Sequence, residues 1–304
     1  MKRKLVRQGS STLMVSLPSK WIKSNSLDKG SEVEIEEKDN QIMISGKPKA
    51  DTKKEITIHL TEDNRHDIKN ILTHLYRRGF DRIMIKNIDD NQQSIIRSTT
   101  NSLLLGFEIV DMTKDFCIIE NISEPSQEKY EVMIRRIFLI IKESHRILDE
   151  DLAAGKYDKW QEMEEQRKQQ DKHIFFCRRI IGKENRPLDW ELLTFLMHIE
   201  HRYYYAYRYA MENRLKIENI APLLKILLDT FELFYESYFQ KDIKKIHQIN
   251  KSRDEMYFKR FFSSIEKSAG KRSVMIAQLA EIYRLIQIGT SPILGLSLDN
   301  VLHQ

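Results

Sequence analysis

Several features that would settle the class of this 304-residue chain at once are scarce in it. Only two cysteines are present, Cys117 in a strand-like run and Cys177 in a helix-like one. Two isolated thiols give no disulfide framework and no thiolate metal site, and they suit a reducing cytosol. No apolar run approaches the roughly 20 residues that cross a bilayer; the longest candidates are the stretches around Ile137–Ile141 and Leu103–Leu105. With 31% charged residues and a mean hydropathy of −0.51, the composition argues against an integral membrane protein. The basic start, MKRKLVRQGSS, is followed by polar residues where a signal peptide needs an apolar stretch, so a cytoplasmic chain is expected. Glycine-rich phosphate loops, Walker sequences and nucleophile elbows are also missing, and no nucleophile stands beside a recognisable base. We therefore expect neither an enzyme nor a cofactor.

Acid is missing too, in one place. Residues 1–23 carry Lys2, Arg3, Lys4, Arg7, Lys20 and Lys23 with no Asp or Glu, and the acids begin only at Asp28. The overall charge of +5 is modest, so its placement carries the information: a local positive field is what phosphate backbones attract.

Polar junctions at 46–54 and 121–129 interrupt the apolar periodicity and divide the chain into segments 1–48, 53–123 and 126–302. The first reads as a strand (RKLVRQ), a turn at Gly9, a strand (TLMVSL), a short helix opening at Pro18, and two more strands (SEVEIEE and QIMIS). So small a unit buries too little apolar surface alone, and a homodimer sharing Leu5, Leu13, Val15, Trp21, Val33, Ile35, Ile42 and Ile44 is expected. The second segment alternates strand, helix (62–79), strand, helix (91–104) and two strands, which predicts a small α/β sandwich of ferredoxin-like or ACT-like type. The third is helical throughout, with helices expected near 127–154, 157–183, 188–213, 217–240, 242–267 and 271–298. Laying QQDKHIFFCRRI on KSRDEMYFKRFF pairs Asp171 with Asp254 and Phe175 with Phe258, which suggests two copies of a three-helix unit.

The run RKLVRQGSSTLMVSLPSKWIKSNSLDKGSEVEIEEKDNQIMI resembles the AbrB/SpoVT swapped-hairpin DNA-binding family, in its R-Q-G-S-S turn, its V-S-L-P-S-K-W segment and its L-D-K-G-S-E-V-E-I turn and strand. The resemblance implies a dimeric swapped-hairpin β-barrel that presents Arg3, Lys4 and Arg7 to DNA, with Lys20 and Lys23 of the short helix beside them. Guanidinium groups suit the task, because their planar fork matches phosphate or the O6/N7 edge of guanine. Ser10 and Ser11 can add hydrogen bonds to phosphate. Toxin-binding antitoxin modules use the same barrel, but here a long patterned region follows it.

The helical region is similar to the PhoU phosphate-uptake-regulator family, and the three-part order resembles archaeal phosphate uptake regulators. That likeness implies a C-terminal pair of three-helix bundles and a transcription regulator of phosphate uptake or homeostasis. An alternative is an interaction protein that controls a phosphate transporter or sensor without touching DNA. The acidic metal motifs of that family are incomplete in this chain: Arg167 and Asn250 stand where acids precede Asp171 and Asp254, and Tyr204 and Tyr205 follow Glu200. A metal site is not expected there. His198 and His201 lack a third ligand at metal spacing, so we read them with Glu200 as a polar helix face. Tyr203, Tyr204, Tyr205, Tyr207 and Tyr209 are read as packing. Arg77, Arg78 and Arg82, where elements of the α/β segment meet, suit either an anion or plain solvation.

Overall fold

The computed structural model describes residues 2–9, 12–38, 41–46, 53–123, 127–184, 186–217 and 219–302. They form two compact units, through Lys53 and from Lys54 onward.

The first unit is two hairpins and a short helix. Strands β1 (Val6–Gln8) and β2 (Thr12–Met14) pair antiparallel, with Arg7 opposite Leu13, and β3 (Glu34–Lys38) pairs antiparallel with β4 (Gln41–Ser45). Helix α1 (Ser19–Ser24) lies between them. Pro18 sits just outside it, in extended backbone (φ −62°, ψ 128°), so proline caps this helix rather than opening it. The C-terminal end of α1 is closed by Asn25, whose side-chain amide donates to the Trp21 carbonyl at 2.8 Å. Gly46, at the end of β4, packs so closely on this closure that a Cβ would lie 2.8 Å from Asn25 Cβ. The expected closed barrel is not present among the described residues of one chain: β1–β2 and β3–β4 are separate two-stranded sheets. Four strands of three to five residues are too few and too short to curl into a cylinder by themselves.

The second unit begins with a four-stranded sheet in the order β5-β6-β8-β7, built from β5 (Glu55–His59), β6 (Arg82–Lys86), β7 (Phe107–Met112) and β8 (Phe116–Asn121). Only β5 and β6 are parallel, joined through α2 (Ile68–Arg77); α3 (Asp90–Leu103) leads from β6 to the β7–β8 hairpin. This β-α-β-α-β-β succession corrects the ferredoxin-like or ACT-like expectation, whose order is β-α-β-β-α-β. Apolar residues of α2, α3 and the inner sheet face form one core, with Ile68, Leu72, Tyr76, Ile83, Ile85, Ile96, Cys117 and Ile119 wholly enclosed. Helix α2 ends in a paired 6→1 and 5→2 closure, Phe80 N–H to Leu75 O and Gly79 N–H to Tyr76 O. Gly79 takes the left-handed conformation there (φ +77°), as its place after the helix foretold.

The remainder is largely helical. Helices α4 (Gln127–Ala154), α5 (Trp160–Glu184) and α6 (Pro187–Glu212) pack on one another. So do α7 (Ala221–Gln240), α8 (Ile243–Arg253) with its π-helical continuation (Asp254–Phe262), and α10 (Gly270–Ile288). The short α9 (Ser263–Glu266) precedes α10, and α11 (Thr290–Leu302) follows Gly289. One continuous apolar core runs through both sets of helices.

Two features depart from the sequence pattern. The proposed repeat pairs unlike positions: Phe175 lies half-buried on the regular helix α5, whereas Phe258 is 53% exposed on the π-helical segment. Wider i→i+5 turns rotate side chains out of the 3.6-residue register on which that alignment relied. The boundary expected near residue 124 also falls inside one compact unit, because α5 reaches into the α/β layer. Arg179 of α5 is wholly buried there, donating to the carbonyls of Tyr76 (3.1 Å) and Phe80 (2.7 Å) and to Asp81 (2.5 Å). Gly182 lies so near the end of α2 that a Cβ would stand 2.8 Å from the Arg77 carbonyl oxygen.

Candidate nucleic-acid interface

Every described apolar side chain of residues 2–46 falls short of burial; the core of the molecule begins at Leu60. Leu5, Leu13, Ile35 and Ile42 are 64%, 60%, 62% and 69% exposed, and Val6, Met14, Val15 and Met43 join them. On β3–β4, Ile35 faces Ile44 across the pair and Ile42 lies next along the same side, so period-2 alternation gathers one apolar face and leaves it uncovered.

The basic residues ride on the same frame. Arg3 and Lys4 lead into β1 and are exposed, and Arg7 is exposed within it. Lys20 and Lys23, also exposed, lie three residues apart on α1 and so share a face of that helix, whose first turn holds no acid. Among the described residues, no carboxylate forms an ion pair with Arg3, Lys4, Lys20 or Lys23. The hairpin thus holds Arg7 at a fixed register, and the short helix holds the two lysines. Ser10 and Ser11 lie outside the described residues.

The second cluster named from sequence rearranges. His201 Nε2 meets Asp171 Oδ1 at 2.9 Å, tying α6 to α5, while His198 is exposed. Glu200 is wholly buried, and neither of its carboxylate oxygens has a hydrogen-bond partner. Burial, reinforced by the charge of Asp171, holds its carboxyl well above the usual range, so it is kept as the neutral acid. This corrects the polar-face reading: Glu200 sits on the inward stripe with Leu196, Ile199, Tyr203 and Tyr207. Tyr203 and Tyr207 are buried packing residues whose hydroxyls find polar partners, Tyr203 beside His145 Nδ1 (3.0 Å) and Tyr207 donating to Asp151 (2.6 Å). No group of three His, Cys, Asp or Glu side chains is arranged to hold a metal among the described residues. Both cysteines are buried and unbridged, and burial pushes the Cys117 thiol up to about 12. No described helix is long and apolar enough to cross a membrane.

Of the arginines noted in the α/β layer, Arg82 is accounted for by Glu120 (2.8 Å) and Glu55 (3.7 Å). Arg77 and Arg78 have no such acid among the described residues. Sequence reasoning passed over Arg178 and Arg179 altogether, although two adjacent arginines inside the apolar run IFFCRRII were a visible signal that one of them must enter the core.

Residues 6–54 match the family model of antidote-toxin recognition MazE, a bacterial antitoxin. No curated protein and no solved structure matches the chain. The matched stretch begins with β1 and coincides with the first compact unit, and a domain of this kind marks a DNA-binding regulator.

Proposed function

We propose that the chain is a transcription regulator that binds DNA as a homodimer through its MazE/AbrB-type unit, with the second unit receiving the signal. The observation that carries this reading is the uncovered apolar surface of residues 2–46. Two hairpins with no buried apolar residue have no core until a second surface supplies one, and an identical copy offers the complementary faces. Interleaving two such units gives one shared core and relates the two sets of Arg3, Lys4 and Arg7 by a two-fold axis. That is the geometry of a protein reading a two-fold-related DNA site. The arginines contact phosphates and base edges, and Lys20 and Lys23 add phosphate contacts. The resemblance of the helical region supports phosphate supply as the regulated process.

The test joins assembly to binding. Sedimentation of the full chain is expected to give a dimer, and Leu13→Lys with Ile42→Lys to give monomers that no longer shift promoter DNA. Changing Arg3, Lys4 and Arg7 together to Ala is expected to keep the dimer, weaken DNA binding at least roughly tenfold, and flatten its dependence on salt. A monomeric wild type, or binding indifferent to both salt and the triple change, would refute the proposal.

A further inference from the structure

Some cations of the second unit have an acid beside them, as Arg179 has Asp81, Arg82 has Glu120, Arg146 has Glu143 and Glu150, and Arg284 has Glu281. The seam between α2 and α5 gathers cations of the other kind. Arg77 of α2, Arg78 directly after it and Arg178 of α5 form no ion pair with any carboxylate among the described residues. Their contacts are with neutral groups. Arg178 donates from Nη2 to Thr194 Oγ1 (2.7 Å) and its guanidinium lies over the Trp190 ring, 4.8 Å from the centroid. It is 4% exposed, and its buried Nε has no hydrogen-bond partner. Arg77 donates from Nε to the Thr73 carbonyl (2.9 Å) and lies over Phe175, 4.6 Å from the centroid. Phe175 and Arg178 are three residues apart on α5, so the ring that supports Arg77 lies on the helix face that carries Arg178.

The charge of Arg77 reaches Arg178. Burial first, and the charge of Arg77 second, hold the Arg178 guanidinium down to about 10, with Asp171 opposing. His74 of α2 is lowered by burial and then by Arg77, Arg178 and Arg78. Asp171 is the acid whose charge reaches both Arg77 and Arg178, and His201 already holds it at 2.9 Å. Burying a guanidinium with an unmet N–H within reach of a second positive charge, with Asp171 acting on both but in ion-pair range of neither, is unfavourable unless an anion completes the site. The depth of Arg178 limits that anion to a compact one, since a duplex backbone cannot reach a side chain so enclosed.

We propose that the α2–α5 seam is a binding site for a small tetrahedral oxyanion, inorganic phosphate or the terminal group of a phosphomonoester. Arg178 and Arg77 supply the forked donors, and His74 and Arg78 stand at the rim. The site rests on the second unit alone and is independent of DNA binding.

Trp190 provides the readout, because it stacks on Arg178 and is 37% exposed. The full chain is titrated with inorganic phosphate, and separately with glycerol phosphate, at constant ionic strength against chloride, following tryptophan fluorescence and melting temperature. A saturable change in both is expected, and Trp190→Phe is expected to remove the fluorescence change while the rise in melting temperature persists. Response to one titrant alone identifies the source of the oxyanion. Arg77→Gln is expected to weaken binding roughly tenfold or more. In chloride buffer it is expected to melt no lower than wild type, because it relieves like-charge repulsion; a merely structural Arg77 would lower the melting point. The proposal is overturned by no saturable response to either titrant up to on the order of 10 mM. Unchanged binding by Arg77→Gln overturns it equally.

Discussion

Arg179 shows how much one side chain can fix. Its guanidinium is wholly buried, closes the carbonyls at the end of α2, reaches Asp81, and stands over the rings of Tyr76 and Phe107. Removing it takes the counter-charge from the Asp81 carboxylate and a donor from the Tyr76 and Phe80 carbonyls, in a site that water reaches poorly. Arg179→Ala is therefore expected to lower stability by about 3–5 kcal/mol in chemical denaturation, with Arg179→Lys a poor substitute because it lacks the fork. A second residue-scale expectation concerns acid. Burial holds His145 down to about 4; burial, with Arg136 and Lys172, does the same for His173. Their folded values lie below the unfolded value of 6.5, so the unfolded chain binds their protons first. Stability is then full above about pH 6.5 and falls as pH drops toward 4, by about 3 kcal/mol for each histidine over the whole window. Glu200 acts in the opposite sense, since its folded value is raised and it resists ionisation as pH climbs past 4.5. Melting curves of His145→Gln and Glu200→Gln separate the two. The first should flatten the acid limb, and the second should gain on wild type as pH rises above 4.5.

Among the elements, glycines mark where the chain reverses. Gly79 and Gly106 both follow helices of the α/β layer, with φ of +77° and +84°. A Cβ at Gly106 would stand 2.6 Å from the Ser123 carbonyl oxygen. Gly106→Ala should therefore cost about 2–3 kcal/mol, as measured by the shift in denaturation midpoint. Element existence in this layer was readable because each strand and helix carries its own periodicity and the turns carry their own glycines. The π-helical stretch was not readable, since DEMYFKRFF has an ordinary helical composition and its wider turns are settled by packing against α10.

At the scale of the whole molecule, the two units differ in self-sufficiency. Residues from Lys54 onward hold continuous cores, while residues 2–46 expose theirs. A chain beginning at Lys54 should therefore melt within a few degrees of the full chain and bind no DNA. A drop of more than about 10 °C would mean that the first unit stabilises the second, contrary to this division.

What the sequence determined by itself was local: the order of strands and helices, the apolar alternation of the hairpins, and the acid-free basic start at Arg3, Lys4 and Arg7. Each is written in spacing along the chain, where turn chemistry and side-chain period act over a few residues. Tertiary structure alone decided which polar groups go inside. Arg178 and Arg179 are neighbours of identical type, yet Arg179 closes α2 with Asp81 as its counter-ion, while Arg178 donates to Thr194 and forms no ion pair among the described residues. Glu200 reads as a surface acid and is enclosed. Burial and the company of other charges are set by which helices meet, and contacts between residues nearly a hundred positions apart leave no mark in local pattern.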